Sequence, residues 1–314
     1  MDERSAPRVK KRRFFKKEDA ALYIMAMPVA LYLLVFAYAP MAGVLMAFQK
    51  YNVIGGFFKS PFIGFNNFGF LFSSTDSFRM IGNTVLYHFA YLVTGMALSV
   101  TAAIIMSMLR SARVAKTLQT IYMMPHFLSW SVVALMVYVY LAPISGVFNQ
   151  LLSTVRGVPV ETDWYMTREF WPPFLVFMNA WKGVGYSTVL YLAVISGIPV
   201  DYYEAAMIDG AKKFQQARYI TFPHLRFIIS ISLIMSMGGI VRGDFGLHFL
   251  VTRNSGILRP VTEIIDTYIY RALIGLQNVG LASAAGFFQS TVGLFFVLVA
   301  NWIVNKIDPD VAMF

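Results

Sequence analysis

The sequence predicts an all-α integral membrane protein with six transmembrane helices. Of 314 residues, 58% are hydrophobic and only 13% are charged, whereas a soluble domain averages about 25% charged and roughly 45–50% apolar. Several charge-free runs reach the ~20 residues that a bilayer core demands of a spanning helix. Cysteine is absent, which removes a disulfide framework, a thiol nucleophile and a thiolate metal site. The same composition excludes disorder, which needs low hydrophobicity and high charge.

The first span is expected at 20–48. Its basic start and Ala37-Tyr38-Ala39 superficially suggest a secretion signal. The apolar stretch is too long for one, and Pro40 follows at once, so this is read as a retained helix. Further spans are expected at 81–109, 119–142, 173–198, 226–250 and 282–304. The fourth carries Lys182, and the fifth carries Arg242 and Asp244.

Orientation follows Lys and Arg in short loops. Eight lie in the N-terminal tail, from Arg4 to Lys17. Arg110, Arg113 and Lys116 mark the second loop, and Lys212, Lys213 and Arg218 mark the fourth. Both termini and these two loops are therefore expected in the cytoplasm. That divides the chain into a basic tail at 1–19 lying on anionic headgroups, a six-helix domain at 20–307 and a short tail at 308–314. The net charge of +10 then reports orientation in the bilayer, and no nucleic-acid partner is expected.

Familiar catalytic patterns are missing. No Gly-x-x-x-x-Gly-Lys-[Ser/Thr] run cradles a phosphate. The pair Gly183 and Gly185 reads as helix packing. His88, His126, His224 and His248 are far apart and form no His-Glu-x-x-His, so hydrogen bonding is expected of them rather than a metal. Asp308-Pro-Asp310 resembles a metal-binding pair but has no fold around it. No enzyme, resident cofactor or metal is expected, and the energy source must lie in another subunit.

The loop at 199–225 is the informative one. Asp201 is expected to cap a short helix, with Glu204 completing a capping box. Ala205 and Ala206 leave room for another protein surface, and Gly210 terminates the helix. A second short helix, 212–219, is expected to follow at an angle, with Pro223 in the first turn of the fifth span. The result is a rigid elbow between two spans.

This stretch closely resembles the EAA loop of bacterial ABC importer permeases. Glu204, Ala205, Ala206, Gly210, Ile220 and Pro223 match that pattern in spacing, and Phe222 replaces a leucine. The runs Leu31–Asn52, Pro61–Phe68 and Ile265–Arg271 resemble the polysaccharide-permease branch of the maltose-type carbohydrate importers. The resemblance implies a type I importer permease fold in the bacterial cytoplasmic membrane. It implies a second, different permease, two ATPases that hold ATP and magnesium, and an extracytoplasmic sugar-binding protein. Glu204, Ala205, Ala206, Asp209, Gly210 and Pro223 would receive the push of the ATPases.

On the fourth span, Asn179, Lys182, Gly183 and Tyr186 fall at i, i+3, i+4 and i+7, one face of a helix. An amide, a hydroxylated aromatic and a glycine suit a sugar. On the fifth, Ser236, Gly239, Ile240 and Gly243 fall at the same spacing, and Arg242 lies beside them. The resemblance places both sets at the sugar pocket, and Asn179, Gly183, Tyr186 and Ser236 keep the family's residue type. Close helix packing is the competing account. Lys182, Arg242 and Asp244 either form a salt bridge between helices or recognise an acidic sugar. A carrier driven by an ion gradient stays open as an alternative, although neither paired repeats nor broken helices are visible in the sequence. A membrane enzyme of glycan assembly lacks its catalytic residues.

Overall fold

The structure is a computed structural model that describes residues 20–109 and 111–307. The basic tail, Arg110 and the Asp308-Pro-Asp310 run lie outside the described residues. Four helices are long and apolar enough to cross a membrane unbroken, and six spans result when each of two bent pairs counts as one.

The first span starts with α1 (Ala20–Leu33), continues as a π-helix (Leu34–Tyr38) and ends as a 3-10 helix (Ala39–Phe48). Pro40 explains the changes of pitch, since it has no N–H and displaces the carbonyl one turn back. Beyond this span a loop closes on itself. Lys50 donates to the Pro61 carbonyl at 2.9 Å and Ile63 to that of Phe48 at 2.8 Å. Asn67 Nδ2 ties in Ala47 and Gln49, each at 2.9 Å.

The second span is α2 (Thr75–Ser107), which begins earlier than 81 because Ser74 caps it, its Oγ accepting from Ser77 N–H at 3.1 Å. The third span is not the continuous helix expected at 119–142. It consists of α3 (Ala112–Met123), a 3-10 turn over Met124–Phe127, and α4 (Trp130–Leu141), with a 94° bend between the two arms. Pro125 disrupts the ladder, and Ser129 starts a new helix by accepting from Val132 N–H at 3.3 Å. External to it lies α5 (Val147–Arg156).

The fourth span is α6 (Trp171–Ser196), packed along α2 as the spine of the molecule. The elbow helix α7 (Val200–Ile208) leaves it at 72°. The fifth span, α8, runs Lys213–Met237. It therefore starts earlier and ends earlier than 226–250. Gly238 and Gly239 stop it, and after turns at 238–241 a short π-helix (Gly246–Val251) resumes. The expected second elbow helix is the N-terminal start of α8. Pro223 lies in the first turn of the α-helical part of the span, Phe222–Met237, as expected, and the π-turn Ala217–Thr221 that joins this part to Lys213 absorbs the lost hydrogen bond. The last span is α9 (Val279–Ile307). It crosses α8 so closely that a Cβ on Gly238 would stand 2.9 Å from Val297 Cγ2, the close approach that small residues permit between membrane helices.

Candidate functional site

The residues singled out from the sequence fall in two regions: the elbow and a polar layer halfway along α6. In the elbow, Pro199 rather than Asp201 is the N-cap residue, and no side chain caps the helix. Asp201 instead lies in the first turn, and Glu204 is past the N3 position, so the capping box is not formed. The far end follows the sequence. Gly210 has φ +79°, a left-handed conformation that costs a residue with a Cβ about 1–2 kcal/mol. Ala211 N–H returns to the Ala206 carbonyl at 2.8 Å and Gly210 N–H to that of Met207 at 3.0 Å, closing the helix. Glu204, Ala205 and Asp209 are exposed, Ala206 is half-buried, and Met207 and Ile208 project outward. Tyr203 anchors the elbow to α8 through Thr221, 3.0 Å from hydroxyl to hydroxyl.

In the polar layer, Asn179, Lys182 and Gly183 are half-buried and Tyr186 is exposed. Asn179 and Gly183 line a cavity of about 230 Å³ with Tyr91, Ser187 and Ser232. A Cβ on Gly183 would meet nothing within 4 Å, whereas one on Gly185 would collide with the Tyr122 carbonyl. The two glycines therefore divide the roles: Gly185 packs α6 on α3, and Gly183 opens onto space. Lys182 Nζ donates to the His126 carbonyl at 2.8 Å and sits 5.4 Å from the Trp130 ring centre. Trp130 Nε1 donates to Asp244 at 2.8 Å, whose other oxygen accepts from Leu247 N–H at 3.1 Å. The indole thus stands where a direct Lys182–Asp244 bridge was one of the expectations. The imidazole of His126 stacks on Tyr186, 4.5 Å between centres and 13° between planes.

The fifth-span set does not share a helix face, because α8 ends before Gly239. Ser236 stays on the helix with its Oγ 3.1 Å from His88 Nε2, and a Cβ on Gly239 would stand 3.4 Å from the same imidazole. Gly243 belongs elsewhere: Ile264 packs against it, and its N–H donates to Asp266 at 2.7 Å. Arg242 is exposed and donates to Ser290 Oγ at 3.3 Å. Tyr91 and Trp130 join the layer without having been singled out, and His88 and His126, of which only hydrogen bonding was expected, join it too. Pro125 followed by Ser129 was the local signal for the bend that delivers His126 and Trp130; nothing local marks His88 or Tyr91.

Residues 95–312 match the family of binding-protein-dependent transport system inner membrane components. The chain belongs to this family. The permease is 33% identical over 298 residues to protein LplB of Bacillus subtilis (strain 168), covering 94% of this chain and 91% of that one. It is 31% identical to the polygalacturonan/rhamnogalacturonan transport system permease YteP of the same organism, over 92% of this chain and 89% of that one. A chain of a bacterial ABC transporter that imports the acidic polysaccharide alginate superposes with a TM-score of 0.84 at 32% identity, covering 93% of this permease and 97% of that chain. The same transporter bound to its periplasmic protein carrying an alginate pentasaccharide gives 0.83. The fold is that of a type I ABC importer permease, and the protein is an inner-membrane transport component. Broken helices, unseen in the sequence, thus occur in an ABC permease and do not by themselves mark an ion-driven carrier.

Proposed function

We propose that this permease, paired with a second and different permease, carries an acidic, uronate-containing oligosaccharide inward by alternating access. An external binding protein delivers the sugar, and two ATPases hydrolyse ATP on the cytoplasmic side. Glu204, Ala205, Ala206, Asp209, Gly210 and Pro223 belong to the elbow that takes their push. Asn179, Lys182, Gly183 and Tyr186 line the sugar path, with Ser236 and Gly239 beside His88 at its edge and Arg242 as a second cation.

The observation that carries the reading is Lys182. Lys182 is a half-buried residue at mid-span, next in the chain to Gly183, which lines the cavity with Asn179; its ammonium is held by a carbonyl and an aromatic face rather than by a carboxylate. A lysine has three donors, so two remain for a ligand. A sugar carboxylate suits them, because a hydrogen bond to a charged group contributes roughly 1.5–3 kcal/mol. The two similar transporters named for polygalacturonan and for alginate handle polymers of uronic acids.

The test is uptake of matched neutral and acidic oligosaccharides by wild type, Lys182→Met and Arg242→Met. Loss of acidic uptake by roughly tenfold or more, with neutral uptake kept, is expected for Lys182→Met. Equal loss of both, or no preference in the wild type, would assign Lys182 to structure instead.

A further inference from the structure

A groove of about 740 Å³ lies at the base of the elbow, between the end of α2, the start of α3 and the end of α6. Its walls are apolar, formed by Met106 and Leu109, Leu192 and Ile195, and Ile198 and Val200. Its polar lining includes Lys116 and Lys213, with Gln119 and Gln216, and no acidic side chain. Lys213 Nζ spends one donor on the Met108 carbonyl at 2.8 Å, which leaves two. Lys116 has no side-chain partner among the described residues. Two cations without an acid at the rim of an apolar slot match an amphiphile with a negative head.

We propose that this groove binds one anionic phospholipid of the cytoplasmic leaflet. The phosphate meets Lys116 and Lys213, and an acyl chain lies along the apolar wall. The depth is consistent with this. The groove is bounded by the ends of α2 and α6 at Ser107 and Ser196, and the end of a helix long enough to span is where headgroups are met. α3 starts beside it, capped by Ser111, whose Oγ accepts from Val114 N–H at 3.4 Å. The choice of leaflet rests on the orientation read from the loop charges; the chemistry of the groove does not.

The site has a mechanical consequence. Its lining joins five pieces: Val200 and Tyr203 of the elbow, Lys213 at the start of α8, Lys116 of α3, the end of α2 and the end of α6. A lipid here bridges the elbow to the loop after α2, so occupancy stiffens the joint through which force would pass.

The experiment uses the purified importer complex in nanodiscs of phosphatidylcholine with and without phosphatidylglycerol. Retained lipid is counted by native mass spectrometry after transfer to detergent. Wild type is expected to keep phosphatidylglycerol in preference to phosphatidylcholine. Near a membrane each lysine contributes about 1 kcal/mol, so Lys116→Gln should lower retention about fivefold. Lys213→Gln should do the same and Lys213→Arg, which keeps the charge, should restore it. Ala193→Trp fills the slot and should expel the lipid with every charge in place. Equal retention of both lipids, or phosphatidylglycerol retention unchanged by Lys116→Gln and Ala193→Trp, would overturn the site. The readout needs neither sugar nor ATP, so it stands or falls separately from the proposed transport activity.

Discussion

Gly183 and Gly185 show what a sequence can and cannot say about a residue. Both lie on α6, two positions apart, and helical periodicity alone gives them different faces. Which face meets backbone and which meets open space depends on where α3 runs, and that depends on the bend after Pro125. With Gly185 against the Tyr122 carbonyl, any Cβ forces the two helices apart, and overpacking of this kind costs about 1–3 kcal/mol. Gly185→Ala is therefore expected to lower the thermal stability of the purified permease. Gly183→Ala, with nothing within 4 Å of its new methyl, should leave stability intact. Melting curves of the two variants side by side check this, and equal losses would mean that α3 does not press on α6 here. A larger residue, Gly183→Leu, should keep the fold and lower sugar uptake, since it narrows the cavity shared with Asn179.

At the scale of elements, the sequence was most legible where one local rule decided the matter. Gly210 ends the elbow because only its φ of +79° allows the chain to turn there. Two of the unbroken spans, α2 and α9, follow from long apolar runs. It was least legible where long-range packing overrode hydropathy. The runs 119–142 and 226–250 are apolar enough to span, yet each is broken at mid-length, one at Pro125–Ser129 and the other at Gly238–Gly239. Apolar composition fixes that a segment enters the membrane, not that it stays straight. The elbow carries its own prediction. An exposed Glu204 on a rigid nine-residue helix is placed to contact a partner, and it is not needed for the fold. Glu204→Lys is expected to leave membrane assembly and sugar delivery intact while uncoupling ATP hydrolysis from uptake. Gly210→Val should do likewise by straining the turn, at about 1–2 kcal/mol. ATP hydrolysis and sugar uptake measured together in reconstituted vesicles decide it; wild-type uptake in either variant would remove the elbow from the path of force.

For the whole molecule, orientation links the elbow, the lipid groove and the polar layer. Arg113 and Lys116 at the start of α3, and Lys212, Lys213 and Arg218 at the start of α8, lie at the same end as the elbow, because α2 and α6 both finish there. Loops at 49–74, 142–170 and 252–278 lie at the other end and hold the aromatic and hydrogen-bonded plugs, such as Asn149 with Trp164 at 2.8 Å. Positive charge favours the cytoplasmic side by its retention during insertion. A reversed chain would place the elbow where no ATP is found. Because the natural chain has no cysteine, a single introduced one reports its own location against no background. Cysteines placed one at a time within 55–60, at 160 and at 255 are expected to react with an impermeant maleimide in intact cells. Ones at 118 and 214 should react only after the membrane is opened. Protection of any external position in intact cells, or labelling of either internal one there, would invert the map and put the coupling elbow and the lipid site on the wrong side of the membrane.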